Sequence, residues 1–162
     1  MIDLLTFIRL LLINDPTLLS LFVAAGQSSV IACLPNQRDL STYPTITYEA
    51  EQGNEYPSGE HTPKLFVGKF NVEVHTRQSA ANQSNYATML AIQSQIQNLL
   101  VGSRTLGTTG IAGTFLPPTT TPQSPWIITT FRSEKPNNAI ATIDPTLCRW
   151  RMCYCMVLMQ KD

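Results

Sequence analysis

Residues 65–75, Leu65-Phe66-Val67-Gly68-Lys69-Phe70-Asn71-Val72-Glu73-Val74-His75, carry the clearest pattern in the chain. Side chains alternate across an extended strand, so Phe66, Gly68, Phe70, Val72 and Val74 share one face. Val67, Lys69, Asn71, Glu73 and His75 share the other. A strand of this length with one polar face belongs to an antiparallel sheet that packs on one side only. Two other stretches repeat the period. In residues 45–51, Ile46, Tyr48 and Ala50 oppose Thr45, Thr47, Glu49 and Glu51, which reads as a half-buried strand. In residues 148–159, Trp150, Met152, Tyr154, Met156 and Leu158 oppose Arg149, Arg151, Cys153, Cys155, Val157 and Met159. Shorter strands are expected at Val30–Leu34 and Trp126–Phe131.

The apolar face of such a sheet must be covered, and the chain supplies helices to cover it. Leu4, Leu5, Ile8, Leu11 and Leu12 recur at helical spacing. Asp15-Pro16 restarts the chain, with Asp15 suited to cap a second helix and Pro16 to its first position. Leu18, Leu19 and Phe22 continue that helix and Gly26 ends it. A long helix is expected from Ser79, with Tyr86, Met89, Ile92, Ile96, Leu99 and Leu100 as its stripe and Gly102 closing it. Residues 53–63 read as an acidic loop, residues 103–125 as an irregular Gly/Thr/Pro-rich insertion, and Asn137-Asn138 as a turn. The expected fold class is α+β: an antiparallel sheet with helices packed on one face, in a single domain spanning residues 1–162.

Composition narrows the function. Charged residues are 14%, below the usual ~25%. Eleven basic residues balance eleven acidic ones, for a formal net charge of zero. Nothing in that balance drives the chain onto nucleic acid or an anionic membrane, and near-neutrality favours association. The apolar run Leu10–Ile13 is too short to span a bilayer, which takes about 20 apolar residues, and it lacks the layout of a signal peptide. Of the four cysteines, Cys33, Cys148, Cys153 and Cys155, the last three crowd one C-terminal strand, which makes a poor disulfide framework; reduced thiols in a protein made in the cytosol are expected.

No catalytic or metal constellation emerges. Cys153-x-Cys155 has no second ligand pair, so no metal is expected. The histidines, His61 and His75, read as solvent-facing polar residues, and no nucleophile elbow, HExxH, P-loop or GxGxxG occurs. A small cytosolic thiol-dependent hydrolase built on Cys33 or Cys148 and a histidine is the reading from the enzyme class; the expectation is no enzyme and no cofactor. Arg149 and Arg151 flank Trp150, but alternation puts the indole on the opposite face, which leaves a core tryptophan and two surface arginines. Glu49 and Glu51 share a strand face, and Glu55 and Glu60 follow with no basic neighbour in the loop. These four are the candidate surface, either lining a channel that repels DNA or docking a basic partner; otherwise they are ordinary solvated carboxylates.

The layout resembles the tail-terminator or tail-completion proteins of long-tailed bacteriophages, the lambda-type minor tail proteins. Four pieces carry the likeness: Ile2-Asp3-Leu4-Leu5 through Asn14-Asp15-Pro16-Thr17-Leu18; Tyr43-Pro44-Thr45-Ile46-Thr47-Tyr48; the strand Phe66–Thr76 leading into the helix Ser79–Leu100; and Arg149-Trp150-Arg151-Met152-Cys153-Tyr154. It covers nearly the whole chain except residues 103–125. The resemblance implies a virion protein made in the host cytoplasm. Six copies form a ring on the end of the tail tube, stop its polymerisation and present a surface for head-to-tail joining. The implied partners are further copies, the tail tube protein, a neck or connector protein and the tail sheath. Genomic DNA passes through the ring without sequence-specific binding, and no membrane is involved. A head-completion or neck adaptor protein, similar in size and also ring-forming, is the nearest alternative.

Overall fold

A computed structural model describes residues 2–51, 54–56, 65–78, 85–102, 126–133, 138–140, 142 and 144–160. Expectations for residues 57–64, 79–84 and 103–125, including Glu60, His61 and the first turns of the long helix, lie outside the described residues. The elements in chain order are α1 (Ile2–Ile13), α2 (Pro16–Ala24), β1 (Ala32–Cys33), β2 (Thr45–Ala50), β3 (Asn54–Tyr56), β4 (Leu65–Arg77), α3 (Asn85–Gln97), β5 (Trp126–Ser133), β6 (Asn138–Ile140) and β7 (Leu147–Gln160). This is the expected α+β arrangement. No described helix is long and apolar enough to cross a membrane.

The sheet runs β1-β2-β4-β7-β5, with β3 also on β4 and β6 also on β7. Its spine is the antiparallel pair β4–β7, from Leu65 opposite Met159 to Arg77 opposite Leu147. The register puts Phe70 against Tyr154, Val72 against Met152 and Val74 against Trp150. On the other side of β4, Ile46 meets Val74 and Tyr48 meets Val72. The face read from alternation is therefore continuous over three strands. Ile46, Phe70, Val72, Val74, Met152 and Tyr154 are buried on it beneath Ile8, Leu12, Leu18, Phe22, Met89, Ile92 and Ile96 of the helices. Tyr48 and Phe70 stack with ring centres 6.5 Å apart.

Two polar contacts lock the helical layer. The Asp15 carboxylate accepts the Leu18 amide at 2.7 Å as the α2 cap. The same oxygen accepts Gln95 Nε2 of α3 at 3.1 Å, so one cap serves two helices. Tyr154 donates its hydroxyl to Gln97 Oε1 at 2.9 Å, tying α3 to β7. Gly26 ends α2 at φ +92, a backbone conformation that costs glycine little.

Five expectations are corrected. The strand at Val30–Leu34 shrinks to Ala32–Cys33 and runs parallel to β2, so the sheet is mixed. The acidic stretch is not all loop: Asn54–Tyr56 pairs with Leu65–Val67 of β4. The reason is length, because β2 covers only Phe70–His75 of β4 and leaves backbone groups beyond it in need of partners. Asn138 opens β6 rather than a turn, opposite Arg151. Tyr86 is exposed, and the buried stripe of α3 begins at Met89. Finally, Thr45, Thr47 and His75 of the polar face are buried rather than solvent-facing.

Phe70 is wholly buried at the centre of the apolar face. Phe70→Ala is expected to lower unfolding free energy by about 3–5 kcal/mol in chemical denaturation. Leu40→Ala, at a side chain 70% exposed, serves as the control and should stay within about 0.5 kcal/mol of wild type.

Candidate functional site

The functional chemistry of the molecule gathers on the polar face of the spine. Strand alternation sends Thr45, Thr47, Glu49, Asn71, Glu73, His75, Arg149 and Arg151 to this side. Register then sets two rungs across three strands: Thr47–Glu73–Arg151 and Thr45–His75–Arg149. Glu73 is the hub. Arg149 grips it as a fork, with Nε to Oε2 at 2.7 Å and Nη2 to Oε1 at 2.9 Å. Arg151 Nε donates to Oε1 at 2.6 Å. The Glu73 side chain is only 12% exposed. Burial pushes its carboxyl up, but the hydrogen bonds and charges of Arg151 and Arg149 outweigh this and hold it below the usual glutamate range.

His75 lies beside the hub. Its Nε2 is 3.1 Å from Thr47 Oγ1 and 3.5 Å from Glu73 Oε2. Burial, with Arg38 and Arg149 nearby, pushes the imidazole down to about 4 against the pull of Glu73. The ring is therefore neutral at pH 7, with Thr47 as its hydrogen-bond partner.

His75 also borders a cavity of about 470 Å³ lined by Arg38, Tyr43, Thr142, Asp144, Leu147, Cys148 and Arg149. The segment after β1 builds one wall. A 3-10 turn at Pro35–Gln37 brings Pro35 beside Thr47 on the polar face, and Thr45 donates its hydroxyl to the Thr42 carbonyl at 2.6 Å. The Arg38 and Arg77 guanidiniums lie 5.2 and 5.9 Å from the centre of the Tyr43 ring. The Tyr43-Pro44 peptide bond is cis, and Gln27 Nε2 donates to the Tyr43 carbonyl at 2.6 Å.

The acidic candidates separate. Glu49 and Glu51 are exposed at the far end of β2 from the cavity, and Glu51 accepts Asn71 Nδ2 at 2.8 Å. Glu55 belongs to β3, opposite Phe66. Trp150 faces away from the arginines and packs against the core, as alternation requires. Cys33, Cys148 and Cys153 form no disulfide. No cluster of three metal-ligating side chains occurs among the described residues. The sequence reading missed Glu73 as the hub and His75 as a buried group. The usable signal was parity: an Arg-x-Arg pair on β7 shares a face with every odd-numbered residue of β4, and Glu73 is the carboxylate there.

Both shifts make the protein acid-sensitive. A group whose folded pKa is depressed costs stability as pH falls from its unfolded value through its folded one. For His75 that window is pH 6.5 to about 4, and it amounts to roughly 3 kcal/mol. His75→Gln, which retains a hydrogen bond to Thr47, should flatten the fall in urea-unfolding free energy over this window. Glu73→Gln at pH 7 should cost roughly 1–2 kcal/mol, since Arg149 and Arg151 are part exposed and keep water as a partner.

No family model and no curated protein matches this chain. Among solved structures, a chain of one titled "Virion of native gene transfer agent (GTA) particle" matches it, at 12% sequence identity and a TM-score of 0.62. The match covers 96% of this chain and 94% of the other. At that identity the likeness establishes a shared fold from end to end.

Proposed function

We propose that this chain is a structural protein of a phage-like virion, without catalytic activity, and that within the virion it terminates the tail tube. The observation that carries the reading is the fold shared with a chain of a gene transfer agent virion over 96% of this chain. The tail-terminating role adds the sequence resemblance: the Asp15-Pro16 restart, Tyr43-Pro44 before β2, the strand leading to a long helix, and the Arg149-Trp150-Arg151 strand.

On this reading six copies close into a ring on the last ring of the tube. Such a ring uses head-to-tail interfaces whose rotation closes, and a chain of zero net charge with few charged residues tolerates close neighbours. The ring stops further polymerisation and offers its outer surface to a neck or connector protein, with the sheath as a further partner. DNA crosses it without sequence-specific contact. Glu49 on β2 and Glu51 just after it are exposed, and with Glu55 and Glu60 in the sequence that follows they are the proposed acidic surface of each copy. Repeated six times, it either lines the channel as a wall that does not hold phosphate, or meets a basic patch on a partner and steers docking.

Reconstruction of the tail end is expected to show six copies capping the tube, and particles lacking this protein are expected to carry overlong tails or unjoined heads. A single copy per particle, or a ring on the head vertex, would overturn the terminator role; the latter would assign the chain as a neck adaptor. Replacing Glu49, Glu51, Glu55 and Glu60 by Gln together separates the two surface roles. Slowed DNA delivery at normal tail length marks a channel lining, and failed head joining marks a docking surface. Wild-type infectivity at low and high salt would remove both.

A further inference from the structure

We propose that the cavity between the polar face of β4–β7 and the segment after β1 binds a carboxylate carried by a partner polypeptide. Two guanidiniums, Arg38 and Arg149, line it and a third, Arg77, lies near its Tyr43 wall; their commitments differ. Arg149 is occupied by Glu73 on the neighbouring rung. Arg77 reaches Asp144, with Nη2 3.5 Å from Oδ2. Arg38 has no carboxylate partner among the described residues. Its Nε–H is buried without an acceptor, and its contact is the face of Tyr43. A buried donor left without an acceptor is costly, and an aromatic face holds a guanidinium plane without satisfying its N–H groups. Arg38 therefore brings one positive charge, with no carboxylate partner among the described residues, to the wall of a cavity large enough for a side chain or a chain end.

The rest of the lining selects the ligand. Asp144 does not neutralise Arg38, because its Oδ1 accepts the Thr146 amide at 2.9 Å and hydroxyl at 2.7 Å, while Oδ2 faces Arg77. Its negative charge disfavours a phosphate, which would bring close to two charges against one uncommitted guanidinium. A carboxylate brings one charge and two oxygens matched to the fork. Tyr43, Leu147 and Cys148 offer apolar surface to the stem that carries it. The neutral His75 adds a polar wall without a competing charge. The carboxylate chemistry stands on this lining alone; the source, a polypeptide, rests on the assembly reading above.

The test uses the full chain in two arms. In the first, isotope-labelled protein is titrated with N-acetylphenylalanine, a mimic of a chain terminus, and with its neutral amide, N-acetylphenylalaninamide. The acid should shift the amide signals of Thr142, Leu147 and Arg149, and the amide should bind at least roughly tenfold more weakly. Arg38→Gln should abolish acid binding, and Arg38→Lys, which keeps the charge without the fork, should weaken it while the unfolding midpoint stays near wild type. Equal binding of acid and amide, no binding of either, or binding retained by Arg38→Gln overturns the site. In the second arm, particles are assembled with Arg38→Gln. Loss of a partner protein from them supports a polypeptide source. Normal particles from a variant that no longer binds the acid overturn that source while leaving the carboxylate site and the virion role intact.

Discussion

Everything in this molecule hangs on the pairing of β4 with β7. The two strands run antiparallel from Leu65 opposite Met159 to Arg77 opposite Leu147, and every other strand except β1 is hydrogen-bonded to one of them. Because the side-chain period is two, this one register decides both faces at once. A slip by one residue would send Phe70, Val72 and Val74 to the polar side and bring Glu73 under the helices. The apolar burial on one face and the Glu73–Arg149–Arg151 cluster on the other both enforce the same alignment. The pairing joins distant parts of the chain, Arg77 with Leu147 at its nearest and Leu65 with Met159 at its farthest, so its loop-closure cost must be met by contacts that form together.

The two faces are stabilised by different means. The apolar face is closed by side chains that are almost wholly buried, drawn from α1, α2 and α3, with Asp15 and Gln97 supplying the few polar ties. Among the described residues no α-helix covers the polar face. Its charges are arranged so that the buried carboxylate is compensated by Arg151 and Arg149, and the buried imidazole is kept neutral by burial and by Arg38 and Arg149. A buried charge without its partners would be far more costly than the pair is favourable. The cluster is therefore better understood as a device for register than as a large net source of stability.

A sheet packed under helices on one side leaves the polar side with two chemically distinct ends. The end of the polar face near Glu49 and Glu51 is acidic and exposed, and the opposite end holds the Arg38 cavity. These ends are separated by the length of β2, the 6 residues from Thr45 to Ala50 or roughly 17 Å of strand.

The parts of this structure readable in the sequence are those that depend on neighbours a few residues away. Alternation in residues 65–75 and 148–159, the helical stripes, and the Asp15-Pro16 cap reflect local periodicity and local hydrogen bonding, and they locate the spine, the helices and the apolar core. The sequence also placed Trp150 opposite its flanking arginines, since parity within a strand needs no knowledge of the fold. What only the tertiary structure decided is adjacency. Nothing near Glu73 in the chain announces Arg149 and Arg151; nothing near His75 announces that Arg38 and Thr47 will enclose it. The strand character of Asn54–Tyr56 and Asn138–Ile140 arises because longer strands left backbone groups to be paired, which overrides the turn preference of their own residues. The parallel edge at Ala32–Cys33 and the cavity behind it depend on the chain folding back across a sheet that does not exist until its distant strands have met. Local chemistry chooses the elements, and burial and hydrogen-bond satisfaction choose which of them lie side by side.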